Sequence, residues 1–425
     1  MNILILGSGG REHVFADKIS KSPLCDKLFI APGNAGTAEC GTNLHISPLD
    51  FTAIENACLE HQINLIVPGN EDPLVAGIVD FIESNEKLKK VLIAGPNKAG
   101  AQLEGSKDFS KALMQKNNIP TAAYCTVEKQ NIDEGYAFLE SLKPPYVLKA
   151  DGLAAGKGVL IETDLLVAKT NLAEMLNGKF GASSAKVVIE EFLHGIELSV
   201  FVLTDGEHYL MLPSAKDYKR IGEGDQGLNT GGMGAISPVP FADKVFIDKV
   251  EKRIVIPTIQ GLKNDGITYK GFLFIGLMNV DGEPKVIEYN CRMGDPETEV
   301  VLHRVKTDML ELMLATCKGS INEVNLEIDE QTAVTVFLVS GGYPEDFVKG
   351  YSISGLDQIS HSKVYQAGTK NENGSIVTNG GRVLAITSTG NNIKEALSIS
   401  MQNAEKIQFT DKYYRKDIGL DLLNL

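Results

Sequence analysis

Val286-Ile-Glu-Tyr-Asn-Cys-Arg-Met-Gly-Asp-Pro-Glu-Thr-Glu299 is an apolar run that ends in oxygen ligands and then breaks into an acidic turn. Glu288 and Asn290 lie two apart at the end of the run from Lys285 to Tyr289. Residues two apart in a strand point to the same face. One carboxylate and one amide oxygen therefore leave the sheet side by side, a hard-oxygen pair suited to Mg²⁺. Arg292 follows, then Asp295, Glu297 and Glu299, with Gly294 and Pro296 breaking the turn. A solvated loop does not need an arginine among carboxylates, and a core strand does not end in them. The competing explanation is a metal-free salt-bridge cluster on the surface, which stabilises little.

Outward from this stretch, residues 1 to about 104 alternate short β-rich runs (2–6, 27–31, 65–67 and 91–94) with helical patterns such as 51–61 and 73–84. This is the grammar of an open parallel sheet. Each run ends in a turn: Gly7-Ser-Gly-Gly10, Pro32-Gly-Asn34, Pro68-Gly-Asn70 and Gly95-Pro-Asn97. All four turns fall at carboxyl ends of strands, where such sheets bind ligands. A helix over 107–117 stops before Pro120. Residues from about 121 to 200 predict a second, α+β unit, with strands at 146–150, 158–162 and 186–191. Further strands follow at 198–204, 271–280 and 284–289, then a helix from 298 to about 317. Lys318-Gly-Ser320 and the acidic 322–330 stretch mark a boundary. Two more strands, 332–340 and 381–387, and a helix from 393 complete the chain. The expected class is a multidomain α/β and α+β protein: 1–104, 105–320 and a small β-rich unit at 328–425.

With 425 residues the chain is too long for one ordinary core. Its 43% hydrophobic and 23% charged content is that of a globular protein. A net charge of −14 and a pI of about 5.1 argue against a nucleic-acid surface, which would be basic. Anionic ligands must then be held by local cations. The run 1–6 opens straight into glycine with no basic flank, so it is expected to be a buried strand and not a leader. No stretch approaches a membrane span. Six scattered cysteines without a CxxC pair fit a reducing cytoplasm.

Gly7-Ser-Gly-Gly10 follows a strand and precedes a helix, where backbone amides and the helix dipole hold phosphate. Glu12 stands where a dinucleotide fingerprint needs its third glycine, and no acid ends the second strand. A phosphate or sugar-phosphate site is favoured over a plain tight turn, and a nicotinamide site is disfavoured. His13 is read as helix packing. In Lys149-Ala-Asp-Gly-Leu-Ala-Ala-Gly-Lys-Gly158, two strands bracket glycines and alanines that leave amides free to close over a polyphosphate. Lys149 could reach a phosphate; a flexible hairpin is the bland alternative. Glu190-Glu-Phe-Leu193 passes from a strand into a linker whose backbone can read an adenine edge, with Glu197 placed for ribose hydroxyls; solvated acids at a strand end are the alternative. Lys216-Asp-Tyr-Lys-Arg220 precedes a glycine-rich loop containing Asn229-Thr-Gly-Gly-Met-Gly234. That cationic cluster suits a terminal phosphate and a second substrate; a disordered surface loop is the alternative.

These pieces occur in the order of the ATP-grasp ligases. Gly7-Ser-Gly-Gly-Arg-Glu-His13, Ala31-Pro-Gly-Asn-Ala-Gly36, the 149–158 loop, Asn229 to Gly234 and Arg292-Met-Gly-Asp-Pro-Glu297 closely resemble the phosphoribosylamine–glycine ligases, also called glycinamide ribonucleotide synthetases. Ser340-Gly-Gly-Tyr-Pro344 and Thr378-Asn-Gly-Gly-Arg382 extend the resemblance through nearly the whole chain. It implies a Rossmann-like N-terminal domain, an ATP-grasp domain with a mobile lid at about 121–195, and a C-terminal domain. It also implies ATP-dependent joining of glycine to 5-phosphoribosylamine in purine synthesis, by a cytoplasmic monomer. By similarity, Glu288 and Asn290 bind Mg²⁺ or Mn²⁺. Lys107, Lys149, Gly156, Gly158, Glu190, Glu191, Phe192, Leu193, Glu197, Arg220 and Asn229 would contact ATP. Substrate contacts are expected at Gly9, Gly10, Arg11, Asn34 and Asp217, and catalytic roles at Arg220, Arg292 and Asp295. Three departures stand out: Lys216-Asp-Tyr218 where the family has Gln-Asp-His, Pro68-Gly-Asn-Glu71 where it has Gly-Pro-Glu, and Met293 for Phe or Leu. Other ATP-grasp carboxylate–amine ligases, a nicotinamide oxidoreductase and a non-catalytic nucleotide sensor are the rival classes.

Overall fold

The structure, a computed structural model, describes residues 1–153 and 158–424. Its first unit is a five-stranded parallel sheet in the order Thr42–Asn43, Lys27–Pro32, Asn2–Gly7, Leu65–Pro68, Leu92–Ile93. Helices such as Gly10–Ile19 and Phe51–Glu60 join its strands. Ile3, Leu4, Ile5 and Leu6 are all fully buried. A continuous apolar run is what a strand covered on both faces requires. The two-residue edge strand Thr42–Asn43 has no apolar run and escapes sequence reading. The helical pattern at 73–84 splits into Glu71–Ala76 and Ile78–Ser84, because Gly77 adopts φ +99° and ends the first helix.

The second unit is a four-stranded antiparallel sheet, Tyr124–Val127, Val187–Glu191, Tyr146–Ala150, Val159–Glu162. Helices Ile132–Ser141 and Leu165–Leu176 pack on it. Val127, Leu139, Leu148, Leu172 and Ile189 form a hydrophobic cluster of their own. A second antiparallel sheet runs Tyr209–Met211, Ile196–Thr204, Gly271–Val280, Glu283–Asn290. Its core is continuous with that of the N-terminal sheet.

The third antiparallel sheet has the order Lys216–Asp217, Gly234–Ser237, Thr332–Val339, Arg382–Gly390, Lys363–Gln366. Gly234–Ser237 pairs antiparallel with Thr332–Val339, so hydrogen bonds join segments on either side of residues 318–330. Helix Ile393–Lys406 covers this sheet. The single helix expected from 298 to 317 is two, Glu297–Arg304 and Met309–Lys318. Asp308 caps the second through the amides of Leu310 and Glu311, while Lys306 N–H donates to the Glu327 carbonyl and draws the intervening chain away. Among the described residues, no helix is long and apolar enough to cross a membrane.

Candidate active site

The three antiparallel sheets and the N-terminal turns line a cavity of about 450 Å³. Glu288 and Asn290 line it from the end of the Glu283–Asn290 strand. A bulge falls just before them, since Gly276 faces Glu288 while Leu277 faces Val286. Beyond the bulge the two ligands keep the two-residue spacing that places them on one face.

Three lysines line the same cavity. Lys111 and Lys149 each lie 2.9 Å from Glu190, which is 3% exposed. Burial works against the Glu190 charge, but the two lysines outweigh it and hold its carboxyl below the usual range. Burial also pushes Lys111 down to about 8, against the pull of Glu190. Lys107, at the first turn of the Lys107–Lys116 helix, is lowered by burial too. Lys111 carries no motif, so sequence reading missed it. Its spacing of four from Lys107 on one helix face was the available signal.

Arg292 is caught between two carboxylates, with Nε 3.0 Å from Glu71 and Nη2 2.6 Å from Glu104. Burial opposes its charge, but Glu104 and Glu71 more than compensate and raise its pKa. Burial likewise opposes the charge on Glu71, yet Arg292 and Arg11 bring its pKa down to about 2. Glu104 ends up raised, because burial outweighs Arg292. It also accepts the Cys291 N–H at 2.8 Å. With its nitrogen turned to the Tyr289 carbonyl (3.0 Å) and Glu104 (3.2 Å), the Asn290 amide frees its oxygen from that carboxylate. Sequence reading met Glu71 only as the end of Pro68-Gly-Asn-Glu71 and did not name Glu104, as their partner lies some two hundred residues away.

Asp295 lies 3.0 Å from Arg382 and accepts the Arg11 N–H at 3.3 Å. Arg382 also donates to the carbonyls of Asp295 (2.7 Å) and Gly231 (2.8 Å). Arg11 donates to the Met293 carbonyl at 2.9 Å. The 292–297 turn is thus held by the first glycine turn and by the C-terminal segment together.

The glycine turn itself differs from an open phosphate cradle. Glu12 folds back, accepts the Gly9 N–H and pairs with Arg11 Nε at 2.8 Å. A methyl placed on Gly7 or Gly69 would overlap the Glu12 side chain, so these glycines make room for a carboxylate of the chain itself. Gly9, Gly10 and Asn34 do not line the cavity. The Asn34 amide donates to the Ser8 (2.8 Å) and Gln366 (2.7 Å) carbonyls, and its oxygen accepts from Gly36 (2.8 Å) and Thr37 (3.0 Å), so it staples the turn.

Asp217 and Lys219 line the cavity, whereas Lys216 and Tyr218 turn away from it. The Tyr218 hydroxyl donates to Asp421, and Lys216 Nζ sits 3.7 Å from the Tyr218 ring centroid. The departure from Gln-Asp-His therefore falls on the side facing the C-terminal tail. Arg220 and Asn229 pair across a hairpin next to the cavity-lining Lys219 and Thr230, with Arg220 donating to the Gly227 carbonyl at 2.9 Å. Glu197 holds Lys219 at 2.8 Å, and Lys219 draws its carboxyl below the usual range. Glu191 reaches Lys285 at 3.4 Å; Phe192 meets His194 edge-on; Leu193 is half-buried. Gly158 lines the cavity mouth, and Gly156 lies outside the described residues.

Among the described residues, no group of three or more His, Cys, Asp or Glu side chains is arranged to hold a metal. The donor set on offer is the pair Glu288 and Asn290. Two hard oxygens suit a Mg²⁺-like ion that takes its other ligands from phosphate and water, as with nucleotide-bound magnesium.

Models of the N domain, the ATP-grasp (A) domain and the C domain of phosphoribosylglycinamide synthetase match residues 1–104, 105–298 and 333–421. The phosphoribosylamine–glycine ligase of Haemophilus influenzae is 45% identical over 99% of this chain and 98% of its own length. That of Allochromatium vinosum is 45% identical with the same coverage. The crystal structure of the phosphoribosylamine–glycine ligase of Thermotoga maritima superposes with a TM-score of 0.84 at 35% identity, covering 98% of this chain and 100% of that one. By sequence along its whole length and by fold, the chain belongs to the phosphoribosylglycinamide synthetase family.

Proposed function

We propose that the protein joins glycine to 5-phosphoribosylamine at the expense of ATP, giving glycinamide ribonucleotide, ADP and phosphate. The observation that carries this reading is one cavity lined together by Lys107, Lys111 and Lys149, by the Glu288–Asn290 pair and by the Arg292 turn. A carboxylate does not acylate an amine in water, because it has no good leaving group. Transfer of the ATP γ-phosphoryl group to the glycine carboxylate makes glycyl phosphate, which has one. The amine then attacks the acyl carbon and phosphate departs.

Phosphoryl transfer asks mainly for positioning and neutralised charge. Lys107, Lys111 and Lys149 supply three positive charges to the cavity, and Arg220 and Asn229 stand on the adjoining hairpin. The backbone from Glu190 to Leu193 offers an edge for the base, and Glu197 an acceptor for the ribose. Mg²⁺ or Mn²⁺ held by Glu288 and Asn290 would neutralise phosphate charge. Glycine brings both a carboxylate and an amino group, and the Arg292 turn presents both signs: Arg292 for the former, Asp295 for the latter. The unit with its own core at 124–191 closes over the site and shields the acyl phosphate from water. ADP release measured with each substrate left out in turn tests this. Release that needs both glycine and 5-phosphoribosylamine supports the reading; turnover with a different amino acid in place of glycine contradicts it.

A further inference from the structure

Seven carboxylates line the cavity and can be sorted by what holds them. Glu71 and Glu104 are bound to Arg292, Glu190 to two lysines, Asp295 to Arg382, and Glu288 belongs to the candidate metal pair. Asp217 has no cation in ion-pair contact among the described residues, and neither has Glu297, which is 4% exposed and lines the same cavity. Its Oε1 accepts the Ser199 hydroxyl at 3.3 Å, which fixes the side chain from the Ile196–Thr204 strand. Gly294 leaves the other oxygen room to fold back across the turn, since a methyl there would overlap Glu297 Oε2. The charged groups around it are Asp217 and Lys219 from the neighbouring strand segment and Arg292 from the turn. A carboxylate without an ion-pair partner in a site rich in cations is not there to neutralise charge.

We infer that Glu297 is the catalytic base of the second half-reaction, taking the proton that the attacking amine must lose. This rests on the ligase reading above. In that step a C–N bond forms at the acyl carbon and the C–O bond to phosphate breaks, with the electron pair leaving on phosphate. The surplus N–H proton passes to the Glu297 carboxylate. Burial and the neighbouring negative charge of Asp217 push Glu297 up to about 7, against Lys219 and Arg292, which suits a base working near neutrality. Asp217, whose own carboxyl burial also raises, acts as a positioning residue that increases the proton affinity of Glu297.

Hydroxylamine, a small nucleophile that needs no such base, separates the two halves by trapping glycyl phosphate as glycine hydroxamate. Glu297→Gln should form hydroxamate from ATP and glycine within about threefold of the parent, yet lose about 100-fold or more with 5-phosphoribosylamine. The acidic limb of the parent rate profile should vanish in Glu297→Gln. It should survive with a lower rate in Glu297→Asp, which keeps the charge and serves where the amide variant fails to fold. Asp217→Asn should move that limb to lower pH. Equal loss in both half-reactions, or an acidic limb unchanged in Glu297→Gln, overturns the base role while leaving the ligase reading intact. Absence of hydroxamate from the parent protein overturns both.

Discussion

Glu12 fills the hollow that Gly7, Gly9 and Gly69 leave, and its carboxylate meets the amino end of the first helix where a dinucleotide phosphate would sit in a nucleotide-binding turn. Glycine at 69 is therefore a packing requirement set by a side chain 57 positions earlier. Gly69→Ala should cost about 1–3 kcal/mol, the usual penalty for overpacking. Adding Glu12→Ala to it should recover part of that loss, because the two changes share one space. Thermal melts of the three variants decide this; strictly additive losses would contradict the shared space. At the metal pair, Glu288→Ala should lower turnover by more than about 100-fold, several kcal/mol of lost charge stabilisation, with a near-parental melting temperature. A collapse in melting temperature would make the pair structural instead. Lys149, Glu288, Asn290 and Arg292 were legible from residue type and spacing, and the fold brings them to one cavity. Glu71, Glu104 and Lys111 were not, because each matters through a partner that only the fold brings near.

Elements explain the family departures better than residues do. Period-two alternation sends Asp217 and Lys219 into the cavity and Lys216 and Tyr218 to the C-terminal tail, where Arg415 covers the Tyr218 ring at 5.2 Å from its centroid. Arg415, 1% exposed, also donates to the Arg220 carbonyl at 3.0 Å and pairs with Asp417 at 2.8 Å. The tail thus props the hairpin that presents Arg220. Tyr218→Phe should cost about 1–2 kcal/mol through its lost bond to Asp421, and change kcat by less than about threefold. Denaturant melts with steady-state rates check this; a large kcat loss at unchanged stability would contradict the tail-facing role. Long apolar strands such as Gly271–Val280 were readable outright. Gly234–Ser237 was not, because four residues of Gly-Ala-Ile-Ser become a strand only once Thr332–Val339 lies beside them. The break between Glu297–Arg304 and Met309–Lys318 was missed for a like reason, since the Lys306 N–H between them donates to a distant carbonyl, that of Glu327.

At the scale of the molecule, the N-terminal sheet and the C-terminal segment meet along a seam beside the site. His13 Nδ1 accepts the Gln366 N–H at 2.7 Å, and its ring stands edge-on to Tyr365 with centroids 5.7 Å apart. Burial lowers its pKa from 6.5 to about 4, so the folded protein holds it neutral. The unfolded chain binds the proton more readily, so this contribution is full above pH 6.5 and is lost as pH falls towards 4. Between pH 7.5 and 5.0 the loss should be about 2 kcal/mol, and His13→Asn should remove most of that difference. Equal pH dependence in parent and variant would contradict it. The same seam brings Arg382 to Asp295, which is how three segments far apart in sequence build one cavity. If this cavity activates a carboxylate by phosphorylating it, glycine labelled with ¹⁸O in its carboxylate should pass one labelled oxygen to the released phosphate per turnover. Unlabelled phosphate would rule out the acyl phosphate.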